Sequence, residues 1–588
     1  MFDKILVANR GEIAARVMRT ARAQGIATVA VHSEADAGAF HVRVADEAVD
    51  LGPGPASENY LNIGKIVEAA RATGAQAVHP GYGFLAENAG FAQAVTDAGL
   101  VFIGPSASAI TAMGEKVSAR AVAVAADVPL APGSDGPVET ADEVIAFGDR
   151  HGYPVLVKAS YGGGGRGMRE IKSADQAHEG FAAAVREATA AFGNGQVYCE
   201  RYLVNARHVE VQVFGDSHGN AVYLGDRDCS VQRRHQKLIE EAPAPGLSDD
   251  LRRRMGESAV RLARKVGYVG AGTVEYLVEG DDFYFLEMNT RIQVEHPVTE
   301  QVTGLDLVAL QLTVAAGEPL GIRQDDVMIT GAAIEARINA EDSSGGRFLP
   351  SPGPIEALTA PEGEGLRWDA GYESGDEVLP LYDSLVGKLI ATAPTREAAI
   401  DRLRAGLSAL RVDGISTTAP AANHILGADA FRAMEINTLW LESSVEFPEF
   451  DEEADNEGGR YEVEVGGRWY RIPFFPEGVI GVAGAAAAPT APGGPNGRSA
   501  GAKRSGGRSK KKVGDGTVKA PMQGTIVKVN VAAGDEVTSG TVLFVLEAMK
   551  MENPIQATQD GIIAAVHAEV GQSTPSGTLL AHFEKVGA

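Results

Sequence analysis

Cysteine is almost absent from this chain, with Cys199 and Cys229 the two among 588 residues. Two cysteines cannot build a disulfide framework or a cysteine-rich metal cluster, and this scarcity is typical of a reducing compartment. Apolar runs of membrane-spanning length are also absent, and the N-terminus enters a strand pattern at once, without a secretory signal. We therefore expect a soluble, cytoplasmic protein with no membrane partner.

Positive charge is scarce as well, because 53 Lys and Arg face 78 Asp and Glu, for a net charge of -25. Binding to nucleic acid needs a continuous basic face, so we expect no nucleic-acid partner. Two common phosphate-binding signatures are missing: there is no G-x-x-x-x-G-K-[ST], and the first βα turn, N-R-G-E-I-A, has no G-x-G-x-x-G. The 44% of apolar residues is nevertheless enough for several cores.

The pattern of the chain changes after about residue 440. Up to that point, β-rich runs such as P-V-L-V-K-A alternate with alanine-rich amphipathic helices, which predicts an α/β body. Residues 446–480 contain an acidic connector and a predicted strand pair with Gly466-Gly467 at its turn, a candidate docking element for a partner. Residues 481–516 are rich in Ala, Pro, Gly and basic residues, and we predict a flexible linker there.

An internal repeat follows the linker. Residues 524–547 align with residues 561–584 at a constant offset of 37, with matching glycine, apolar and turn positions. Each half is predicted to form short strands, so 517–588 should be a small β-sandwich or flattened barrel with approximate two-fold symmetry. Lys550, in E-A-M-K-M-E-N-P, joins the two halves and should be presented to solvent. A lysine placed at a hairpin tip for solubility is the simpler alternative.

A glycine run, Y-G-G-G-G-R-G-M at 161–168, follows a strand that ends at Lys158. Consecutive glycines let backbone N–H groups approach phosphate oxygens, since no Cβ atom is in the way. We predict a mobile lid over a nucleotide. An ordinary surface turn is the alternative interpretation.

Residues 272–297 predict a hairpin that carries two facing carboxylates. A turn at Gly280-Asp281-Asp282, centred near residue 281, sets Glu275 opposite Glu287 and places Asn289 on the same face. Opposed carboxylates repel unless a cation lies between them, and oxygen ligands suit Mg²⁺ or Mn²⁺, so a metal site is predicted. A solvated hairpin face is the alternative. The alternation of polar residues continues along the expected strand through Arg291, Gln293 and Glu295.

The C-terminal domain resembles the biotin carboxyl carrier domain in its A-M-K-M motif and the preceding V-K-A-P-M-Q-G. In that family the lysine between methionines is biotinylated by a separate biotin protein ligase. Lipoyl domains share the fold but usually lack the flanking methionines. The resemblance therefore implies biotin attached covalently to Lys550.

The first 445 residues resemble the ATP-grasp family, and within it biotin carboxylase. The motifs are K-I-L-V-A-N-R-G-E-I-A, H-P-G-Y-G-F-L-A-E-N, G-E-K at 114–116, K-A-S-Y-G-G-G-G-R-G-M, R-H-V-E-V-Q, R-D-C-S-V-Q-R-R-H-Q-K, E-M-N-T-R-I-Q-V-E-H and E-A-R-I-N-A-E. The resemblance implies a Rossmann-like N-terminal domain at 1–113, an ATP-grasp domain at 114–330 with its lid at about 132–203, and a mixed C-terminal domain at 331–445.

The same resemblance implies the ligand contacts. ATP is expected to be held by Lys116, Lys158, Gly163, Gly164, Gly165, Gly167, Glu200, Leu203, His208, Gln232, His235 and Leu277. The metal ligands would be Glu275, Glu287 and Asn289. Bicarbonate and the reactive end of biotin would meet Lys237, Arg291, Gln293, the Val294 amide, Arg337 and Tyr82.

The chemistry implied is a phosphoryl transfer followed by carboxylation. ATP phosphorylates bicarbonate to carboxyphosphate, a step catalysed by positioning and cations, with Arg291 in the bicarbonate cradle and Lys237 beside the phosphate. By family analogy Glu295 deprotonates bicarbonate, and the phosphate left after release of CO₂ takes the proton from biotin. Arg337, charged at any working pH, would hold the resulting enolate.

The motifs occupy residues 1–445 and 514–588, and the stretch between them is too short for a carboxyltransferase with a coenzyme A site. The arrangement resembles the α subunit of bacterial, notably actinobacterial, acyl-CoA carboxylases, which implies a hetero-oligomer with a carboxyltransferase β subunit that binds the acyl-CoA. Acetyl-CoA or propionyl-CoA would give malonyl-CoA or methylmalonyl-CoA for lipid metabolism. Two alternatives stay open: an ATP-grasp ligase for another acid with a lipoyl-like tail, and a non-catalytic biotin-carrying subunit.

Overall fold

The computed structural model describes ten stretches of the chain: residues 1–134, 136–159, 168–192, 194–450, 460–465, 468–473, 516–520, 524–548, 551–575 and 577–584. They fall into two compact units, a larger one over Met1–Phe447 and a smaller one that holds the C-terminal strands. Among the described residues, no helix combines the length and apolar character that a membrane span requires.

A parallel five-stranded sheet with the order β3-β2-β1-β4-β5 opens the larger unit. Its elements are β1 Lys4–Val7, α1 Gly11–Ala23, β2 Ala27–His32, α2 Phe40–Val44, β3 Glu47–Asp50, α3 Ile63–Thr73, β4 Ala77–His79, α4 Ala89–Asp97, β5 Val101–Phe102 and α5 Ala107–Gly114. Both faces are covered, since Leu6 packs in one apolar cluster and Ile5 and Val7 in another. β1 and β4 are parallel neighbours, so the segments after them meet, and Asn9 Nδ2 donates to the carbonyl oxygen of Tyr82 at 2.7 Å.

A smaller antiparallel sheet, with the order β7-β6-β8, follows. Its region consists of α6 Lys116–Ala125, α7 Ala141–His151, β6 Val155–Ala159, β7 Met168–Ile171, α8 Ala177–Phe192 and β8 Val197–Arg201. This sheet and its helices have a core of their own, which includes Val144, Val157 and Val197. The predicted glycine lid falls between β6 and β7, outside the described residues.

The largest sheet has eight antiparallel strands in the order β13-β12-β9-β10-β11-β14-β21-β19. The elements up to residue 330 are β9 Arg207–Gly215, β10 Ala221–Arg233, β11 Gln236–Ala242, α9 Asp249–Lys265, β12 Gly270–Glu279, β13 Asp282–Asn289, α10 His296–Thr303 and α11 Leu307–Ala315. The sheet continues past the domain boundary predicted at 330, because β11 pairs with β14 through Glu240 and Glu335.

The remaining elements of the larger unit complete and cover this sheet. They are β14 Ala332–Asn339, β15 Glu341–Asp342, β16 Leu349–Pro350, β17 Gly353–Pro354, β18 Ala357–Thr359, β19 Leu366–Ala370, β20 Glu377–Val378, β21 Leu385–Ala393, α12 Arg396–Ala409, β22 Arg411–Asp413, α13 Ala419–Gly427, α14 Asp429–Arg432 and α15 Trp440–Ser444. Cross-strand neighbours Asp369, Lys388 and Arg337 lie side by side on β19, β21 and β14, so the sheet carries charge into the interior.

The predicted pairing of Glu275 with Glu287 is confirmed, but the turn and the strand register differ from the prediction. The turn is the two-residue Gly280-Asp281, since β13 already begins at Asp282. A regular hairpin with that turn would set Leu286 opposite Glu275. A bulge at Leu286 adds one residue to β13 and restores the pairing of the two carboxylates.

The predicted continuation of β13 is wrong. The strand ends at Asn289, and residues 290–295 form bends and a turn that lead into α10 at His296. Arg291, Gln293 and Glu295 therefore do not alternate on a strand face. The local cause is tertiary, because Glu87 Oε1 accepts from the Thr290 N–H at 3.0 Å and draws the chain away from the sheet.

The smaller unit confirms the repeat. Its elements are β23 Arg460–Val465, β24 Arg468–Pro473, β25 Thr517–Lys519, β26 Gly524–Val529, β27 Glu536–Val537, β28 Val542–Ala548, β29 Met551–Gln556, β30 Gly561–Val566, β31 Ser573–Thr574 and β32 Leu579–Phe583. The predicted pair β23–β24 is present. The other strands form two four-stranded sheets, β29-β28-β26-β31 and β25-β32-β30-β27, in which each strand of one sheet corresponds to its repeat partner in the other.

The core of this domain is apolar and lies between the two sheets. Ile526 and Ile563 occupy equivalent positions of the repeat and are both fully buried, as are Leu543 and Leu580. Lys550 lies between β28 and β29, outside the described residues, as does most of the predicted linker at 481–516.

Candidate functional site

Charged residues on four adjacent strands of the large sheet lie directly opposite one another. Glu287 on β13, Glu275 on β12, Glu210 on β9 and Arg227 on β10 form one cross-strand row. Three carboxylates in a row repel unless cations compensate them. Arg227 supplies one cation, because its guanidinium is fully buried and donates to Glu210.

Lys237 on β11 supplies the next cation. Its Nζ lies 2.6 Å from Glu210 Oε2, 3.1 Å from Glu275 Oε1 and 2.6 Å from Glu295 Oε1. Burial alone would disfavour an ammonium group, but the acidic groups around it raise the pKa of Lys237 well above its usual value. Lys237 is therefore charged at any working pH.

Arg337 on β14 completes the cluster around Glu295. Its Nη2 donates to Glu295 Oε2 at 3.0 Å, and its Nε donates to Glu240 Oε1 at 2.6 Å. Burial would raise the pKa of Glu295, but the charges of Lys237 and Arg337 outweigh it and hold that pKa below the usual range. Glu295 is an ionised carboxylate in contact with two cations.

Two of the three predicted metal ligands are in direct contact. Asn289 Nδ2 donates to Glu275 Oε1 at 2.8 Å, and Glu287 is the exposed cross-strand neighbour of Glu275. Burial alone would raise the pKa of Glu275. The charges of Lys237 and His208 outweigh this effect and lower that pKa well below its ordinary value. Hard oxygen donors at the edge of a negatively charged row fit Mg²⁺ or Mn²⁺.

The segment after β13 holds the residues expected at bicarbonate. Arg291 Nη2 donates to Asn289 Oδ1 at 3.0 Å, and its Nε donates to Glu87 Oε2 at 3.2 Å. Gln293 accepts from Arg227 Nη2 at 2.6 Å and donates to Glu275 Oε1 at 2.9 Å. The amide of Gln293 is thus fixed in one orientation.

The residues predicted at the nucleotide occupy two places in the fold. Glu200 on β8 receives hydrogen bonds from Lys158 on β6 and, at 2.8 Å, from Arg120 Nη1. Leu203 follows β8 and is buried. On the large sheet, Leu277 is the cross-strand neighbour of His208.

His208 belongs to both the nucleotide set and the carboxylate row. Its Nε2 lies 3.0 Å from Glu275 Oε2. Burial by itself would disfavour the imidazolium, but the charge of Glu275 outweighs it and raises the pKa of His208.

The hairpin of β10 and β11 carries three of the predicted residues. Gln232 pairs directly with Lys237. The turn residues Arg234 and His235 both have positive φ, 48° and 64°, as a type I′ turn requires. His235 is exposed at this turn, two residues before Lys237.

Tyr82 is tied to the large sheet through a buried carboxylate. Its hydroxyl donates to Glu12 Oε2 at 2.5 Å, and Glu12 Oε1 lies 3.1 Å from Nζ of Lys388. Burial raises the pKa of the Tyr82 hydroxyl well above its ordinary value, so the hydroxyl stays a donor. Several predicted site residues lie outside the described part of the chain: the side chain of Lys116, and residues Gly163, Gly164, Gly165, Gly167 and Lys550.

Sequence reasoning missed several members of the site. Glu210 could have been found, since it lies two residues from His208 in R-H-V-E-V-Q and shares its strand face. Arg227 and Glu240 gave no such signal, because their roles depend on contacts between strands that are distant in sequence. Cys229 lies close to Glu210 and Glu295, and burial raises the pKa of its thiol well above the usual value.

Four family models match the chain. Biotin carboxylase, N-terminal domain, matches residues 1–110, and Biotin carboxylase C-terminal domain matches residues 335–443. Between them, Carbamoyl-phosphate synthase L chain, ATP binding domain, matches residues 115–323. Biotin-requiring enzyme matches residues 516–583.

Similar proteins cover the same range. Biotin-dependent acyl-coenzyme A carboxylase alpha3 subunit of Mycobacterium leprae (strain TN) is 47% identical over 594 residues, which are 99% of this chain and 98% of that protein. Propionyl-CoA carboxylase alpha chain of Ruegeria pomeroyi is 41% identical over 682 residues, 99% of this chain and 100% of the relative. The biotin carboxylase domain of Hydrogenobacter thermophilus 2-oxoglutarate carboxylase, solved with MgADP, ADP and bicarbonate, superposes with a TM-score of 0.69 at 46% identity over 75% of this chain and 97% of that one.

The fold, the site and the family models define a biotin carboxylase, an ATP-dependent ligase, followed by a biotin-type carrier domain. The chain belongs to the α subunits of biotin-dependent acyl-CoA carboxylases. Its ligands are therefore ATP, bicarbonate and biotin, with Mg²⁺. The predicted α/β body and all-β C-terminal domain are confirmed.

Proposed function

We propose that this chain carboxylates biotin attached to its own Lys550 and passes the carboxyl group to a separate carboxyltransferase β subunit. The observation that carries the proposal is the contact of Glu295 with both Lys237 and Arg337 in a buried polar site. A base, a cation for phosphate and a cation for an enolate oxygen are the three groups that the reaction needs.

In this reaction ATP phosphorylates bicarbonate, and the CO₂ released from carboxyphosphate adds to the ureido nitrogen that biotin supplies. Arg291, Gln293 and the Val294 N–H hold bicarbonate. Glu295 takes the bicarbonate proton on its carboxylate. Arrival of the anions draws Lys237 and Arg337 away from Glu295, which makes that carboxylate more basic.

Side chains of the same cluster would compensate the negative charge near the transferred phosphate. Lys237 stabilises the phosphate oxygens, and the oxygen ligands Glu275, Glu287 and Asn289 would hold a divalent cation that neutralises the ATP phosphates. Biotin, when bound, would supply a ureido group as the carboxyl acceptor, and Arg337 would be the cation that faces its ureido oxygen. Tyr82, whose hydroxyl donates to Glu12, would contact the reactive end of biotin.

The nucleotide is held by groups from both sheets. Lys158 and Glu200 come from the small sheet, and His208, Leu277 and the β10–β11 hairpin come from the large one. Lys116 and the glycine run complete the set from the sequence. Closure over ATP would exclude water from carboxyphosphate.

A partner is required for the second half-reaction. Relatives named as acyl-CoA and propionyl-CoA carboxylase α chains match along their whole length, which supports a short-chain acyl-CoA, such as acetyl-CoA or propionyl-CoA, as the final acceptor. Biotin protein ligase would load Lys550. The strand pair β23–β24 is the candidate docking element for the β subunit.

The test is bicarbonate-dependent ATP hydrolysis by the purified biotinylated chain, with free biotin as a second acceptor. Glu295→Gln keeps the size of the side chain but removes the base, so kcat should fall by roughly 10²–10⁴-fold while KM for ATP changes little. Unchanged kcat in this variant would refute the role of Glu295. A wild-type chain that binds ATP but never hydrolyses it with bicarbonate would refute the proposed function.

A further inference from the structure

Two buried side chains contact consecutive carbonyl groups of the segment that precedes α10. Nδ1 of His296 lies 2.8 Å from the carbonyl oxygen of Gln293, and Nζ of Lys388 donates to the carbonyl oxygen of Val294 at 2.8 Å. Both side chains are 0% exposed. The proposed function assigns neither residue to ATP, bicarbonate or biotin.

The state of His296 follows from its surroundings. A carbonyl oxygen only accepts hydrogen bonds, so Nδ1 carries a hydrogen. Burial, together with the charges of Lys388 and Arg16, lowers the pKa of His296 well below its ordinary value. The ring is therefore a neutral donor, although Glu300 Oε2 lies 3.9 Å from Nε2.

Lys388 is held in place by two acids. Its Nζ lies 3.1 Å from Glu12 Oε1 and 3.9 Å from Asp369 Oδ2, so a charge buried at this point is compensated. The ammonium group is thus directed by β19 and α1 toward the Val294 carbonyl. Because Glu12 also accepts the hydrogen bond of the Tyr82 hydroxyl, Lys388 connects the segment before α10 with Tyr82 through this carboxylate.

The contact with the Gln293 carbonyl also fixes the direction of the Val294 N–H, because both groups belong to one planar peptide. In a trans peptide the C=O and the N–H point in opposite directions. His296 holds the Gln293 carbonyl, so the N–H of Val294, in the same peptide group, points away from His296. Within the stretches that the structure describes, this N–H donates to no protein acceptor and is available to a ligand.

We propose that His296 and Lys388 are positioning residues that fix the peptide groups on both sides of Val294 and so present the Val294 N–H to bicarbonate. The inference rests on the proposed function, which assigns bicarbonate to this N–H. Their contacts are with the Gln293–Val294 backbone and with acids outside the nucleotide site. Their loss should therefore weaken bicarbonate binding and leave ATP binding intact.

Two matched pairs of variants test this in the full-length biotinylated chain. His296→Asn keeps a donor near the position of Nδ1, whereas His296→Leu has the same branching without a donor. Lys388→Gln and Lys388→Met have side chains of equal length, and again one of the two can donate. Loss of the donor should raise KM for bicarbonate by about tenfold, and its retention by less than about threefold.

KM for ATP is the internal control and should stay within about twofold of wild type in all four variants. If Lys388→Met unfolds, Lys388→Met combined with Glu12→Gln removes both charges of the closer pair, while Asp369 keeps Arg367 at 2.7 Å, and this double variant should still show the raised KM for bicarbonate. Equal effects within each pair, or KM for ATP rising in parallel with KM for bicarbonate, would overturn the inference. A wild-type chain without bicarbonate-dependent ATP hydrolysis would instead remove the proposed function, and the inference with it.

Discussion

The two units of this chain both have apolar cores, but they differ in the charged side chains that they bury. The larger unit buries ionised groups in its interior, among them Arg227, Glu210 and Lys388, all at 0% exposure. The carrier domain buries apolar residues, and Thr574 is the one buried polar residue among those whose side chains the structure describes. The difference follows from function, because a carboxylase must place charges with precision, whereas a carrier needs a compact support for one modified lysine.

In the larger unit, the residues proposed for the chemistry therefore also affect the stability of the fold. In the carrier domain, the residues of the core are separate from the modified lysine. Buried ion pairs contribute little net stability, yet removal of one partner is strongly destabilising. An apolar core tolerates small changes of volume at modest cost. Substitutions in the two units should consequently be distinguishable by which activity and which part of the chain they affect.

The largest effect is expected from Lys550→Arg, which keeps the charge but removes the amine that accepts biotin. Carboxylation of acyl-CoA with the β subunit should be lost, while ATP hydrolysis with free biotin should continue. The exposed Lys528→Arg on β26 is the matched control and should stay biotinylated, as judged by intact mass. Acyl-CoA carboxylation by the Lys550→Arg variant would contradict the assignment of Lys550 as the biotinylated residue.

Arg227→Met should strongly destabilise the larger unit. The change leaves Glu210 with Lys237 as its remaining cation and leaves Gln293 without its donor. Loss of one partner from a buried pair costs about 3–5 kcal/mol, so the urea midpoint followed by Trp368 and Trp440 fluorescence should fall. Arg227→Met with Glu210→Gln should recover part of the loss. Biotinylation of Lys550 should be unaffected, and a carrier that fails together with the larger unit would break the comparison.

The free energy of unfolding of the larger unit should depend on pH through Glu240. Burial raises the pKa of Glu240 to about 7, although Arg337 acts in the other direction. The folded state then binds a proton that the unfolded state releases near pH 4.3, so stability falls as pH rises through this window and levels off above pH 7. Relative to Glu240→Gln, wild type should lose roughly 1–3 kcal/mol between pH 5 and pH 8. A constant difference between the two proteins across that range would contradict the assignment.

The smallest effect is expected in the carrier core. Ile563→Val removes one fully buried methylene and should cost about 0.5–1.5 kcal/mol, visible as faster hydrogen exchange in peptides from 516–584. The neighbouring Ile562, 40% exposed, provides the control Ile562→Val, which should change exchange little. Neither change should alter ATP hydrolysis. A drop in ATP hydrolysis in Ile563→Val would show that the two units are not energetically separate.

Local patterns in the sequence were sufficient for several features. The offset of 37 predicts the two related sheets of the carrier, since each repeat carries its own alternation and turns. The period-two pattern around Gly280 also predicts the facing pair Glu275 and Glu287, although the structure achieves it with a shorter turn and a bulge. These features depend on neighbours within one hairpin or one repeat.

The arrangement of the site was decided by the tertiary structure. The polar alternation after Asn289 predicts a strand, but Glu87, distant in sequence, holds Thr290 and turns the chain into a loop. Lys388 meets the Val294 carbonyl across 94 residues of sequence, and Arg337 meets Glu295 across 42. The sequence by itself determined which residues could carry charge and where strands repeat. Which charges neutralise one another was settled only by the eight-stranded sheet, because Coulomb energies depend on distances that strand order and register set.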